Sequence, residues 1–316
     1  MSQPYPLSSG HHYCAIITLF MSVILLASGC ASNTHYTHPT RPSLHEISNE
    51  TDPSNKIANL SYDQLILKAD AYRKNDNRRL ASLHYQKALD KNPKSTVAAI
   101  GLSKLLIREG KLEEAFQLLT NATKSNESNV PALLLMGSIA RDRGDLTGSL
   151  ERLTKAYENS PADPEVLTEL AITNDHIGQE RLTYAEPLYK KVISLKPHSS
   201  AAHNNLGFNY LLQGRHADAA KTFNRALVLA PDNKRAKNNL AAAYLLNKQT
   251  DDALKLFQDT VGLAAAYNNL GYILMTRGDW PQAEKAFKKA LQLNPSFYVR
   301  AQENLDQLEH LHSASQ

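Results

Sequence analysis

Cysteine is almost missing from this chain: Cys14 and Cys30 are the only two in 316 residues. Everything after Cys30 is therefore without a disulfide framework, a cysteine-based zinc site or a nucleophilic thiol. An excess of one charge is missing too. Lys and Arg number 35 against 31 Asp and Glu, and a formal +4 spread over this length makes no surface for nucleic acid. Aromatic residues are only 7% of the chain, with a single Trp and 14 Tyr, a composition that favours helices over a strand-rich fold. Gly-rich phosphate loops, a Ser-centred elbow, a kinase set and a His-Glu metal helix are all lacking. The expectation is a protein with no enzymatic activity, no cofactor, no metal site and no small-molecule substrate.

Long apolar runs are scarce, and the clearest one stands near the start. Residues 15–27 carry no charge and are almost wholly apolar. As a helix such a run is about 20 Å long at ~1.5 Å per residue, short of the ~30 Å hydrocarbon core of a bilayer, so it fits a signal-peptide segment better than a membrane span. Ala27, Ser28 and Gly29 then lead directly into Cys30. This stretch resembles the lipobox of bacterial lipoproteins, which implies a signal peptide over 1–29, cleavage before Cys30 and a lipid on its thiol. Two departures stand beside the match: no Lys or Arg precedes the run, and Ala27 replaces the usual Leu. An ordinary signal peptide or an uncleaved anchor is the alternative. Ala31 at the next position resembles lipoproteins sorted to the outer membrane. Residues 30–61 hold Pro39, Pro42 and Pro53 among Ser, Thr, Asn and His, a composition that cannot bury enough apolar surface to order itself and reads as a lipid-anchored tether. The pair His35 and His38 lies in this stretch and reads as solvated linker rather than metal ligands.

From residue 62 the chain repeats itself. Gly110, Gly144 and Gly178 stand 34 apart, and Pro161, Pro197, Pro231 and Pro295 close units of similar length. In 200–233, the residues Leu206, Gly207, Tyr210, Ala219, Phe223, Ala226 and Pro231 resemble the tetratricopeptide (TPR) pattern, with His203 in place of its Trp. Seven such units follow one another: 62–95, 96–129, 130–163, 164–199, 200–233, 234–263 and 264–297. The fold class so implied is all-α, a TPR solenoid: a right-handed superhelix of helix-turn-helix repeats, closed by a capping helix over 298–316. Small residues recur on the first helices (Gly137, Ala171, Gly207, Ala241, Gly271) opposite large ones on the second (Leu153, Tyr189, Phe223, Phe257, Phe287), as close helix packing requires. Unit 164–199 is two residues longer than the 34-residue repeat and carries Pro187 within its second helix; unit 234–263 is four residues shorter and lacks its closing Pro. Asp279 is expected to cap the last second helix, with Pro281 in its first turn.

In a solenoid the first helices line a concave wall, where side chains are free to meet a partner. The inward positions here include Asn204, Phe208 and Leu211, then Arg235, Asn238 and Leu245, then Asn268, Tyr272 and Met275. Each of these helices carries an Asn pair: 204–205, 238–239 and 268–269. The second Asn of each pair matches the TPR pattern and is expected to tie neighbouring helices. The first is expected to bond a partner's backbone, and an apolar floor with amide donors suits a partner helix or an extended peptide. The competing reading is that Leu212, Leu245 and Leu246 only pack against adjacent repeats. A carboxylate-gripping TPR site is not expected, because its basic slots hold Asn204, Phe208, Ala265 and Asn269.

Lipobox, tether, seven repeats and the run Tyr267-Asn268-Asn269-Leu270-Gly271-Tyr272 together resemble the TadD-type lipoproteins of tight-adherence (Flp) pilus systems. The resemblance implies a scaffold at the bacterial outer membrane, facing the periplasm, held to the membrane by its N-terminal lipid and docking a secretin or another pilus or secretion component. A pilotin of type IV pili, or an adaptor recruiting a periplasmic protease or cell-wall hydrolase, shares the same features.

Overall fold

The computed structural model describes residues 57, 59–124, 126–178, 180–276, 278–294, 302–308 and 310. Cys30, the signal segment and most of the expected tether lie outside these residues. Regular structure among the described residues is helical throughout, and the helices fall into two compact units that divide between His176 and Ile177.

The N-terminal unit holds α1 (Tyr62–Lys74), α2 (Arg78–Lys91), α3 (Thr96–Arg108), α4 (Leu112–Thr123), α5 (Val130–Asp142), α6 (Leu146–Asn159) and α7 (Pro164–Ile177), whose last residue crosses the division. The C-terminal unit holds α8 (Leu182–Leu195), α9 (Ser200–Leu212), α10 (His216–Leu229), α11 (Lys234–Leu246), α12 (Thr250–Val261), α13 (Leu263–Thr276) and α14 (Trp280–Leu293), followed by helical residues 302–308. Odd-numbered helices up to α7, and again α9, α11 and α13, are the first helices of successive repeats in the sequence.

Where a first helix starts is decided by one side chain. Ser61, Ser95, Asn129, Asp163, Ser199 and Asn233 stand immediately before these helices, and each accepts a hydrogen bond from a backbone N–H three residues on. Those N–H groups have no partner inside the helix, so each cap supplies one. At Ser61 the bond is returned: Gln64 accepts from the Ser61 N–H at 2.8 Å, closing a capping box. The turn into the second helix needs a left-handed residue, and Gly110, Gly144, Gly214 and Gly278 supply it with φ between 74° and 82°. Asp76 and Lys248 fill the same slot in their hairpins at φ 54° and 65°, where an L side chain is disfavoured.

The two helices of a hairpin meet through a small residue facing a large one. A Cβ on Gly207 would lie 2.7 Å from the Phe223 ring, and one on Gly137 would lie 2.6 Å from Leu153. Gly271 stands in the same relation to Phe287. Phe223, Phe287 and Leu153 are all buried in these contacts.

Departures from the regular repeat have local causes. The turn from α7 to α8 takes four residues, 178–181, instead of three, and α8 continues across Pro187. Between α12 and α13 a single residue, Gly262, connects the helices with φ 85° and ψ 161°, a conformation essentially confined to glycine. Asp279 stands at the start of α14 but its side chain makes no cap bond, contrary to expectation; Pro281 does enter the first turn. Helical packing also reaches into the stretch 30–61 that was expected to be a tether. Ile57 is buried against Leu65, Ala88 and Ala98, with Leu60 packed beside it, and so covers the apolar end of the first hairpin. At the other end, Leu305 and Leu308 from the helical residues 302–308 close over Tyr272, Met275 and Phe287, and Trp280 packs against the same cluster.

If the Gly207–Phe223 contact sets the spacing within its hairpin, Gly207→Ala destabilises the protein by about 1–3 kcal/mol from overpacking, less the ~1 kcal/mol that alanine gains in a helix. In a Phe223→Ala background the same change is expected to be neutral or stabilising. Equal effects in both backgrounds, measured by thermal unfolding, would remove the contact from its proposed role.

Candidate functional site on the first helices

The first helices of the C-terminal unit, α9, α11 and α13, present the wall on which binding residues were expected. Burial separates those residues into two groups. Leu245 is 2% exposed and Met275 1%; Leu211 and Tyr272 are buried as well. Leu245 packs with Ala241, Ala242, Phe257 and Ile273, so the packing reading holds for it. Tyr272 and Met275 lie under Leu305 and Leu308. These four side chains are core, because the neighbouring first helix, or the terminal helical segment, takes the space that a partner would need.

The asparagines are corrected more sharply. Asn204 and Asn239 are 5% and 3% exposed, and Asn239 Nδ2 donates to Asn204 Oδ1 at 2.9 Å. Asn268, also buried, accepts from Asn304 Nδ2 at 2.9 Å. The first Asn of one pair thus bonds an Asn on the next element, and both members are structural. The expectation for Asn239 was right and that for Asn204 and Asn268 was not. A buried amide must find partners within the protein, which fixes the axial register of the paired elements. The short repeat breaks the series: Asn238 does not reach Asn269 but accepts from the Thr260 hydroxyl on α12.

What remains open to solvent is smaller: Arg235 is exposed, Phe208 and Asn238 are half-buried, and Leu212 and Leu246 beside them are half-buried too. α9 and α11 pack on one another, so these residues lie on adjacent helices. Arg235 makes no ion pair among the described residues. An apolar ring, short aliphatic shoulders, one amide and one cation can hold a peptide by burial and a few polar bonds; they offer no general base, nucleophile or metal ligand set. Among the described residues no group of three or more His, Cys, Asp or Glu could hold a metal, and no helix is long and apolar enough to cross a membrane.

The N-terminal unit has a different, polar interior at the same level of its first helices. The largely buried Arg141 of α5 approaches Glu169 Oε2 on α7 to 2.8 Å, in a geometry too bent for a hydrogen bond, and donates to Thr173 Oγ1 at 3.3 Å. Thr173 in turn shares a 3.0 Å bond with Ser149 on α6. Burial, and secondarily the Arg141 cation, push His176 down to about 4, so this imidazole is neutral at pH 7. This cluster joins three helices of its own unit and was not singled out in the sequence, where Arg141 and Glu169 look like ordinary solvated charges.

Helical hairpins joined by tight turns, small-on-large contacts within each pair and an amide series between neighbours define an α-solenoid. Models of the tetratricopeptide repeat match residues 66–130, 101–164, 198–263 and 264–297, more than half of the chain, and the chain belongs to the tetratricopeptide-repeat proteins. Among solved structures it is similar to a tetratricopeptide-repeat protein from Parabacteroides merdae, at 20% identity over 78% of this chain and 98% of that one, with a TM-score of 0.59. It is also similar to a chain of the APC/C hetero-tetramer Cut9–Hcn1, at 15% identity over 95% of this chain and 56% of that one, with a TM-score of 0.60. Human protein O-mannosyl-transferase TMTC1 is 27% identical over 137 residues, which are 43% of this chain but only 16% of that protein's length.

Asn239→Ala leaves the buried Asn204 amide without its partner and is expected to cost about 1–3 kcal/mol of stability. Asn205→Ala, at a half-buried neighbouring amide, serves as the comparison and is expected to cost much less. Urea denaturation of the two variants checks this; equal stability would return Asn204 to the set of partner-facing residues.

Proposed function

We propose that this protein is a non-enzymatic scaffold that docks a protein partner on the first helices of its C-terminal unit and is held by a lipid on Cys30 at the bacterial outer membrane, facing the periplasm. Its work there is assembly of a tight-adherence pilus or a related secretion machine. A tetratricopeptide-repeat array is a protein-interaction scaffold, and that coarser reading stands on the repeats themselves. The observation that carries docking to this wall is the open set Phe208, Arg235 and Asn238, side chains not consumed by the core around Leu245. The lipid and the location are supported by the apolar run 15–27 and the sequence Ala27-Ser28-Gly29-Cys30; the pilus role is supported by the family resemblance of the whole arrangement. A single acyl chain binds a membrane only marginally, so stable anchoring requires that Cys30 carry more than one.

Phe208→Glu with Arg235→Glu is expected to abolish capture of the pilus or secretion partner while circular dichroism stays helical. Retained capture would dismiss the wall. Leu245→Glu is no substitute, since a carboxylate at a fully buried position unfolds the hairpin. Cys30→Ala is expected to remove metabolic labelling by palmitate and to shift the protein out of the outer-membrane fraction. Unchanged labelling and fractionation would refute the lipid anchor without touching the scaffold reading.

A further inference from the structure

A second opening lies away from the first-helix wall, on the side of the second helices. Between α8 and α10, with α9 at its base, is a pocket of about 360 Å³. Its floor is apolar: Ile193 of α8 with Leu206 and the ring of Tyr210 of α9. His203 lines it as well, at the position where the repeat pattern carries Trp. An imidazole is much smaller than an indole, so the substitution leaves unfilled the space that the larger ring would take. The volume is near the lower end of the ~300–1,000 Å³ usual for sites that enclose a ligand, enough to seat an anchoring side chain rather than a large molecule.

The charges at the rim do not cancel. Asp218 is held by Arg215 at 2.8 Å, and Arg215 also reaches Glu186 at 2.9 Å and covers the Tyr210 ring at 4.1 Å. Lys190 is paired with Glu186 at 2.8 Å. Lys221 and Arg225 of α10 are both exposed, and neither has an ion-pair partner among the described residues. They are four residues apart on a helix, so their Cβ atoms lie about 5–6 Å from each other on one face. Two carboxylates on alternate residues of an extended chain are spaced by about 7 Å, a comparable separation.

We propose that this groove is a second docking site, occupied by an extended acidic segment of a partner protein: an apolar side chain rests on Ile193, Leu206 and Tyr210, and flanking carboxylates pair with Lys221 and Arg225. The combination selects the occupant. A bare polyanion would satisfy the two cations and leave the floor wet, whereas a purely apolar helix would strip water from both cations and return no counter-charge. An acidic segment bearing an apolar residue meets both demands.

The test is fluorescence anisotropy of the labelled peptide Gly-Glu-Leu-Glu-Leu-Gly with the full chain. Saturable binding is expected, weakened about tenfold or more when both Glu are replaced by Gln. Lys221→Glu with Arg225→Glu should give a comparable loss. His203→Trp, which fills the pocket and leaves Lys221 and Arg225 in place, should do the same with the helical circular dichroism intact. Lys255→Glu with Lys285→Glu, an equal charge reversal on exposed residues of α12 and α14, should leave affinity unchanged, as should Phe208→Glu with Arg235→Glu on the other wall. No saturable binding, full affinity in either groove variant, or an equal loss in the charge-matched control overturns the proposal. So does heparin binding through Lys221 and Arg225 that is unaffected by His203→Trp, which would make the rim a plain polyanion contact.

Discussion

Everything in this protein rests on two helices approaching closely enough that a glycine or alanine on one lies flat against an aromatic or leucine side chain on the other. Gly207 against Phe223 and Gly271 against Phe287 leave no room for even one added carbon. A hairpin built this way still exposes an apolar edge and is too small to be stable alone, so the next hairpin must cover it. The ends of the array show the same requirement. Ile57 covers the first hairpin and the segment with Leu305 and Leu308 covers the last, although neither belongs to a repeat.

The same demand limits where binding can occur. First helices that pack on their neighbours lose the residues nearest the contact to the core, and Leu211, Leu245 and Met275 are lost in this way. The buried amides go with them: Asn204 and Asn268 are occupied by Asn239 and Asn304. Shortening one repeat by four residues changes this locally. With Gly262 alone between α12 and α13, Asn238 takes the Thr260 hydroxyl as its partner instead of the next pair, so the amide series is interrupted at the junction where the repeat is four residues short.

Much of the fold was legible in residue types at a fixed spacing. The left-handed glycines, the small residues and the aromatics opposite them each follow from local backbone or contact requirements, and each reappears where its spacing placed it. A further periodic signal was present but unread: Ser61, Ser95, Asn129 and Asp163 stand 34 residues apart, each capping a first helix. Site residues were legible only in part. Phe208, Arg235 and Asn238 remain open, whereas the assignment of Asn204 and Asn268 to a partner failed, because an amide's side chain looks the same in sequence whether its hydrogen-bond partner is another protein or the next helix. Lys221 and Arg225 carried no sequence signal, and the pocket they flank was foreshadowed only by His203 in a slot where the repeat pattern has Trp.

The amino-acid sequence alone therefore determined the helices and, within each unit, the close pairing of small residues with large ones, since these depend on interactions within about a repeat's length of chain. Only the tertiary structure decided which first-helix side chains are consumed by packing and which stay exposed. It also revealed a groove between α8 and α10. Burial is a property of what lies across the gap, and residues some thirty positions away in the chain supply it.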